Sequence, residues 1–248
     1  MIIKEYGKEN IDIILLIHGG GLSWWNYKEE AEILGKKYHV VLPILDGHAE
    51  SDKDFVDIKT NAIEIISYID NHYNGKVLAI CGLSLGAQIL IDILSMRTQI
   101  CQYAIIESAL IEKMPLLNFL VKPLINISYW MISNTWFAKA QFKLLNIQEN
   151  LFKDYYKDSC AISKNSMIAF LKSNLKYEVR DNIRKSEVKV LILVGSKEQK
   201  KMILSAKKLN LIIPYSSLRI LKGYTHGDIS LNHPQEYVEI LLDLIKYG

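Results

Sequence analysis

The chain has 248 residues, half of them apolar, and a formal net charge of +3. This length and composition allow a large core, in one domain with an insertion or in two domains. The mild charge, without a Lys/Arg run among aromatic residues, argues against a nucleic-acid partner. Cys81, Cys101 and Cys160 are odd in number and lack C-x-x-C spacing. Neither a disulfide framework nor a zinc site is indicated, and a reducing compartment is expected.

At the start of the chain, residues 1–10 mix charged and apolar side chains. They lack the apolar region of a secretory signal and predict a cytoplasmic protein. Strands are predicted over 2–6, 11–17, 38–45, 76–81 and 102–106, and helices over 26–37, 55–73 and 87–94. Continuous aliphatic runs in the central strands indicate burial on both faces of a parallel sheet. The alternation of strands and helices predicts a doubly wound, mostly parallel α/β sheet.

The alternation of strands and helices breaks over 109–185. This segment has helical stretches rich in Leu, Ile, Trp and Phe and no convincing strand. We interpret it as a helical cap inserted into a core made of 1–108 and 186–248. Beyond it, strands over 188–194 and 217–221 and helices over 200–209 and 234–246 are predicted to complete that core.

One part of the predicted cap, 116–132, is largely apolar. Lys122 and Pro123 interrupt it, and it is shorter than the roughly 20 residues of a membrane-spanning helix. We therefore interpret it as helices that cover a pocket, and no stable membrane insertion is expected.

The most informative stretch contains a serine between two glycines, Gly82-Leu83-Ser84-Leu85-Gly86. It lies where the strand predicted over 76–81 meets the helix predicted over 87–94, so Ser84 is expected in a sharp, strained turn. Glycines two residues on either side lack the Cβ atoms that would collide where strand and helix approach closely. Ser84 would then begin a helix whose unpaired N–H groups point at any anion that forms beside its hydroxyl. The sequence predicts that Ser84 is a nucleophile.

A serine nucleophile needs a base and a carboxylate that orients the base. Of the six histidines, His226 lies in the loop after the last predicted strand, at the same sheet edge as Ser84, and is predicted to be the base. The other five are expected in loops or at the surface. Glu198 follows the preceding strand and is the predicted acid, in the chain order serine, acid, histidine. Glu107, at the end of another core strand, is the alternative acid, and Asp228 is too near His226 in sequence.

The reaction also needs N–H donors for a developing oxyanion. One is predicted to be the N–H of Leu85, directly after the nucleophile. The other is predicted to come from the glycines that follow the strand over 11–17, where small residues let the backbone approach a ligand. Gly20 is the preferred donor, and Gly21 is the alternative.

These residues resemble the α/β-hydrolase superfamily, in particular its members with a helical cap. The resemblance spans nearly the whole core and rests on five landmarks in family order: His18-Gly19, Asp46-Gly47-His48, Gly82-x-Ser84-x-Gly86, Gly195-x-x-Glu198 and Thr225-His226-Gly227. It implies that the cap lies before the acid-bearing strand, as 109–185 does. Two features depart from the pattern. The acid position more often holds Asp, and the His-Gly-Gly-Gly string is closer to lipase-type oxyanion loops.

Two classes of ligand are not supported by the sequence. Acidic residues and a histidine alternate over 46–52, but no distant Cys or His cluster completes a metal shell. The glycines at 19–21 suggest a dinucleotide-binding loop, but Trp24 stands where the third glycine is required. We expect neither a metal nor a cofactor.

Large side chains near these motifs are candidates for the substrate pocket. Trp24 follows the glycine loop, and Trp130, Met131, Trp136 and Phe137 lie in the predicted cap. We predict that these residues line the pocket, with packing of cap on core as the alternative for each.

The sequence therefore predicts a serine hydrolase that cleaves a carboxylic ester or a related small acyl compound through an acyl-enzyme on Ser84. C–C hydrolases, perhydrolases and lyases use the same three residues and are alternatives among enzymes, because fold does not fix function. A non-catalytic ligand sensor or interaction module is the alternative of another class. The expected partner is a small-molecule acyl substrate.

Overall fold

The computed structural model describes all residues from 1 to 248. Seven strands form one sheet: β1 (Ile2–Tyr6), β2 (Ile13–Ile17), β3 (His39–Ile44), β4 (Val77–Leu83), β5 (Cys101–Glu107), β6 (Lys189–Gly195) and β7 (Ser216–Leu221). Their order across the sheet is β1-β3-β2-β4-β5-β6-β7. β1 is antiparallel to β3, and every other neighbouring pair is parallel. The predicted doubly wound, mostly parallel α/β sheet is confirmed.

Ten helices accompany the strands: α1 (Lys28–Leu34), α2 (Ile58–His72), α3 (Leu85–Met96), α4 (Pro115–Ser128), α5 (Thr135–Leu144), α6 (Phe152–Ala161), α7 (Lys164–Lys176), α8 (Lys200–Ile212), α9 (Asp228–Asn232) and α10 (Pro234–Tyr247). Every predicted strand and helix is present, although several ends differ by a few residues. The helix predicted over 26–37 begins as a 3₁₀ turn at Trp24 and ends at Leu34. After Leu34 the chain forms a turn, in which the Leu34 carbonyl accepts hydrogen bonds from the N–H groups of Lys37 and Tyr38, and β3 begins at His39.

The central strands are buried on both faces, which explains their continuous aliphatic sequences. In β2, Leu15 and Ile17 belong to one hydrophobic cluster, whereas Ile14 and Leu16 belong to another. Successive side chains of a strand point to opposite faces, so both faces of this strand are covered by apolar residues. All four side chains are at most 1% exposed. The core therefore lies on both sides of the sheet.

The segment between β5 and β6 contains the helices α4 to α7 and no strand. We call residues 109–185 the insert. Within it, α4 packs mainly against α7, and α7 in turn contacts α2 and α3. The division of the chain into a core and a cap at these boundaries stays a prediction.

None of the helices combines the length and the apolar character that a bilayer crossing requires.

Parallel pairing brings functional positions to one edge of the sheet. β4, β5 and β6 are neighbours, and their carboxyl ends are at Leu83, Glu107 and Gly195. The residues that follow these three strands are therefore close in space, although they are far apart in the chain.

Candidate active site

Ser84 lies at the turn between β4 and α3, in a backbone conformation that side chains rarely adopt. Its φ is 53° and its ψ is −108°. Such a conformation costs about 1–3 kcal/mol and persists only where surrounding contacts impose it. One of these contacts is the hydrogen bond of 2.9 Å that the Ser84 N–H donates to the carbonyl oxygen of Glu107 on β5. The neighbouring strand thus holds the turn that presents the Ser84 hydroxyl.

The two glycines around Ser84 are required by close backbone contacts. A Cβ atom at Gly82 would lie 2.5 Å from the carbonyl oxygen of Gly86. A Cβ at Gly86 would collide with the carbonyl oxygens of Ile17 and His18. Since backbone atoms cannot move aside, only glycine allows β4, α3 and the end of β2 to meet here.

His226 and Glu198 form a hydrogen-bonded pair at the same sheet edge. Nδ1 of His226 lies 2.8 Å from Oε2 of Glu198. The other carboxylate oxygen, Oε1, accepts hydrogen bonds of 2.7 Å from the N–H of Gly195 and of 2.7 Å from Oγ of Ser108. Both oxygens of this carboxylate are therefore held by donors, which fixes the side chain.

The protonation states of this pair follow from its contacts. Burial raises the pKa of Glu198, but the hydrogen bond and charge of His226 and the bonds from Gly195 and Ser108 outweigh burial. The pKa of this carboxyl is therefore below its ordinary value, and Glu198 is ionised at neutral pH. An ionised carboxylate only accepts hydrogen bonds, so Nδ1 of His226 carries a hydrogen and donates the hydrogen bond to Glu198. In the neutral ring, Nε2 is left free to accept a proton.

Glu107, the alternative acid, occupies a different environment. It is buried beside Ser230, and it makes no bond to His226. Burial, aided by the nearby charge of Glu198, raises its pKa to about 8. Asp228 also points away from His226, because its carboxylate accepts hydrogen bonds from the N–H of Thr225 and from the side chain of Asn232. Of the three carboxylates considered, Glu198 is the one in contact with His226.

The glycine loop after β2 lies beside the start of α3. A Cβ atom at Gly20 would contact the Leu85 side chain at 3.3 Å, so the backbone of Gly20 is next to the first residue of α3. The first N–H groups of a helix have no partner within the helix, which leaves the Leu85 N–H available to a ligand. Gly21 has a φ of +77°, and a Cβ there would meet nothing within 4 Å. The loop therefore brings Gly20, rather than Gly21, close to the α3 terminus.

His18 anchors this glycine loop. Its Nε2 accepts a hydrogen bond of 3.1 Å from the N–H of Leu45, so the ring proton is on Nδ1, 2.9 Å from the carbonyl oxygen of Gly19. Burial, together with His48, lowers the pKa of His18 to about 3. His18 and His48 lie in the loops after β2 and β3, as expected, but neither is at the surface: both side chains are buried, with the His18 ring against His48 and the His48 ring against Phe170.

Two cavities meet at Ser84 and His226, which line both of them. The smaller cavity has a volume of about 170 Å³ and is otherwise lined by Gly19, Gly20, Leu22, Leu83, Leu144, Leu145, Ile147, Thr225 and Leu231. The larger has a volume of about 310 Å³ and is otherwise lined by Leu110, Met114, Leu117, Asn174, Leu175, Glu198, Gln199 and Met202. Leucine, isoleucine and methionine make up at least half of the residues in each wall. A larger cleft of about 570 Å³ between α1 and the insert contains none of Ser84, His226 and Glu198.

The five residues predicted to line the substrate pocket are located elsewhere. Trp24, Trp130, Met131, Trp136 and Phe137 line neither cavity at Ser84. Trp130 and Trp136 are among the most exposed apolar side chains of the chain. The insert instead contributes smaller aliphatic residues to the cavities.

Sequence reasoning missed one polar contact of the acid. Ser108 follows β5, has a φ of 53° and is buried. No local pattern distinguishes this serine from the others. Its hydroxyl reaches Glu198 only because β5 and β6 are neighbours in the sheet.

The chain contains no group of three or more His, Cys, Asp or Glu side chains arranged to hold a metal ion. The alternating residues over 46–52 include Asp46 and His48, which are buried, and Nδ1 of His48 lies 2.9 Å from the carbonyl oxygen of Asp46. That ring nitrogen is used within the loop.

Comparisons with known proteins agree with this architecture. A sequence model of the family described as serine aminopeptidase, S33, matches residues 8–226. No curated protein matches the chain.

Several solved structures share the whole fold at low sequence identity. An esterase from Exiguobacterium antarcticum is 19% identical with a TM-score of 0.82, over 98% of this chain and 94% of that one. The enol-lactonase from Burkholderia xenovorans LB400 is 12% identical with a TM-score of 0.82, over 99% and 96%. MenH from S. aureus is 17% identical with a TM-score of 0.77, over 98% and 97%. At these identities the likeness establishes the fold alone.

Proposed function

Because the chain belongs to the serine aminopeptidase S33 family of α/β hydrolases, we propose that it is a serine hydrolase acting on carboxylic esters or related small acyl compounds. Ser84 is the nucleophile, His226 the general base and Glu198 the acid that orients the base. The N–H groups of Leu85 and Gly20 bind the oxyanion. This proposal needs no cofactor.

The reaction proceeds in two displacements. His226 Nε2 takes the proton of the Ser84 hydroxyl as its oxygen attacks the substrate carbonyl carbon, and the carbonyl oxygen becomes an oxyanion between the Leu85 and Gly20 N–H groups. The tetrahedral species collapses, the C–O bond to the alcohol breaks, and His226 returns the proton to the departing alkoxide. A water molecule then attacks the acyl-enzyme with the same proton transfers, which releases the carboxylic acid and regenerates Ser84.

One observation supports this proposal more than any other. The His226 ring is bonded through Nδ1 to a fully engaged carboxylate, and His226 shares both cavities with a serine in a strained turn. A strained backbone persists only where surrounding contacts impose it, and such residues cluster at active sites and ligand-binding sites. The cost of that conformation favours a catalytic use for Ser84.

The cavities favour neutral acyl substrates over peptides with a free amino terminus. An aminopeptidase must bind an ammonium group, for which a free carboxylate is the natural partner. Glu198 is the one acidic residue that lines either cavity, and both its oxygens are already bonded. The names esterase and enol-lactonase among the structural neighbours denote activity on open-chain and cyclic esters. We therefore propose esters as the substrate class.

Labelling with a fluorophosphonate tests the nucleophile directly. We expect one covalent adduct, located by mass spectrometry on Ser84, and loss of p-nitrophenyl ester turnover by at least about 10³-fold in Ser84→Ala. Ser217→Ala, a change of an exposed serine, is the matched control and is expected to retain activity. An adduct at another residue, or retained activity in Ser84→Ala, would refute the assignment.

Aminoacyl p-nitroanilides and a broad ester panel test the substrate class. Turnover of the anilides in preference to the esters would contradict the ester proposal. Slow single turnover with tight product retention, and no ester turned over, would instead favour a ligand sensor on a hydrolase fold.

A further inference from the structure

The outward side of α4 is apolar, which is unusual for a helix at a protein surface. Val121 is its one buried residue. Leu116, Phe119 and Ile127, spaced three, eight and eleven residues apart and so on one side of the helix, are mostly exposed. A surface helix normally turns its polar residues to water, and a contiguous apolar patch in water marks an interaction site.

The same exposure continues beyond α4 into α5. Six large apolar side chains of the insert are between 69% and 85% exposed: Leu116, Phe119, Ile127, Trp130, Trp136 and Leu144. We call these six residues the apolar surface. Two of them are tryptophans, whose amphipathic rings are enriched where protein meets the headgroups of a membrane.

Positive charge accompanies the apolar surface. No Asp or Glu occurs between Lys113 and Gln148, whereas Lys122, Lys139 and Lys143 are exposed within that stretch. The whole insert has twelve Lys and Arg against six Asp and Glu, although the complete chain has a net charge of only +3. The chemistry of this region therefore fits a partner that is apolar inside and anionic at its surface.

The apolar surface is continuous with the cavities at Ser84. Leu144 is part of it and also lines the smaller cavity, as does its half-exposed neighbour Leu145. Leu117, next to Leu116, lines the larger cavity. An apolar molecule that leaves a lipid surface beside Leu144 or Leu117 would therefore meet residues that line the cavities at Ser84.

We propose that the apolar surface binds reversibly to the face of a bilayer that contains anionic lipids. The aromatic and aliphatic side chains enter the headgroup region, and the lysines contact lipid phosphates. α4 has 14 residues and lies on the membrane rather than across it. A second copy of the chain fits less well. In a two-fold dimer this surface would face itself, and its lysines would meet lysines with no acidic residue to pair with.

Vesicle flotation of the Ser84→Ala protein tests this proposal without hydrolysis of the lipids. We expect it to float with vesicles of phosphatidylcholine and phosphatidylglycerol, less with phosphatidylcholine alone, and less as salt is raised. Trp130 and Trp136 are exposed whereas Trp25 is buried, so binding is expected to shift tryptophan emission to shorter wavelength. The double variant Trp130→Phe, Trp136→Phe should lose most of that shift.

A double variant in the apolar surface, compared with a control variant elsewhere, tests which surface binds. Phe119→Gln with Ile127→Gln is expected to weaken binding to the anionic vesicles at least about tenfold, since each change removes an apolar side chain that the bilayer would bury. Leu211→Gln changes an equally exposed apolar residue, 81% exposed on α8, and is expected to leave binding unchanged.

Three results would overturn the proposal: no flotation with anionic vesicles, an equal loss in Leu211→Gln, or a dimer in sedimentation that dissociates when Phe119 is changed. The last result would assign the apolar surface to a second copy of the chain. The proposal does not depend on the hydrolase assignment. Vesicle binding by a chain that hydrolyses no ester would still support the membrane proposal. A variant that no longer binds vesicles is expected to turn over water-soluble esters as wild type does.

Discussion

Helices α3 and α4 border the same site but have opposite surroundings. In α3, eleven of twelve residues are buried, whereas in α4 one of fourteen is buried. α3 starts directly after Ser84 and is enclosed by the sheet and by neighbouring helices, so its position is determined by packing from several sides. α4 contacts mainly α7 and otherwise faces water.

This contrast separates two requirements of a hydrolase. The reacting groups must be held within fractions of an ångström, which needs buried hydrogen bonds such as those that fix Glu198. On the membrane proposal, substrate comes from a lipid surface, and the exposed apolar side chains of the insert provide the contact with it. The sheet edge suits the first requirement, and the insert suits the second.

The largest effect is expected from removing the charge of Glu198, the proposed orienting acid. Glu198→Gln should lower kcat by about 10³- to 10⁴-fold, because an amide that donates to Nδ1 favours the wrong tautomer of His226. Glu107→Gln is the matched control: Glu107 makes no contact with His226, so kcat/KM should stay within about threefold of wild type. Steady-state turnover of p-nitrophenyl butyrate measures both. The opposite ranking of the two variants would make Glu107 the acid.

A smaller effect is expected from the contact behind the acid. Ser108→Ala removes a hydrogen bond to the Glu198 carboxylate but leaves the bond from the Gly195 N–H. One charge-assisted bond is worth about 1.5–3 kcal/mol, part of which reaches the transition state, so kcat/KM should fall about tenfold.

The pH profile distinguishes positioning from a general loss of structure in this variant. Without the hydroxyl the Glu198 carboxylate loses a donor that lowers its pKa, so protonation of this carboxylate, and the loss of activity that follows from it, begins at a higher pH than in wild type. A uniform drop in activity with an unchanged profile would contradict a positioning role for Ser108.

The walls of the cavities test the contribution of the insert. Ile147 is buried and lines the smaller cavity, so Ile147→Ala enlarges that cavity alone. Preference among esters should shift by about one or two methylenes, up to about tenfold in kcat/KM, in either the acyl series or the alcohol series. A shift in both series would show that the two cavities do not act separately. Ile11→Ala changes an exposed residue that lines neither cavity, and it serves as the control.

The smallest effect concerns stability. The pKa of Glu107 is raised by burial to about 8 in the folded chain, so between its ordinary value and pH 8 the native state binds more protons than the unfolded state. Its contribution to the free energy of unfolding therefore falls as pH rises through this window. Compared with wild type, Glu107→Gln should raise Tm by a few degrees at pH 8, and by less at pH 5. Thermal unfolding at the two pH values measures this, and equal shifts would exclude ionisation of Glu107 as the cause.

Much of the fold was predictable because its signals are local. Aliphatic runs mark strands buried on both faces, and every predicted strand is present. α9 was missed because a helix of five residues is too short for a periodic pattern. The helix predicted over 26–37 did not include the start of the 3₁₀ turn at Trp24, since this turn depends on the burial of Trp25 and Tyr27 against distant parts of the chain.

The sequence by itself determined the strand-to-helix turn at Ser84, the glycines that this turn requires and the loop that contains His226, because each is defined by the spacing of nearby residues. Only the tertiary structure decided which carboxylate meets His226, because Glu198 and Glu107 both follow core strands and differ in direction and burial. It also decided that Ser108 supports the acid and that α4 turns its apolar side chains outward. Such contacts join residues that are distant in the chain, and no local pattern records them.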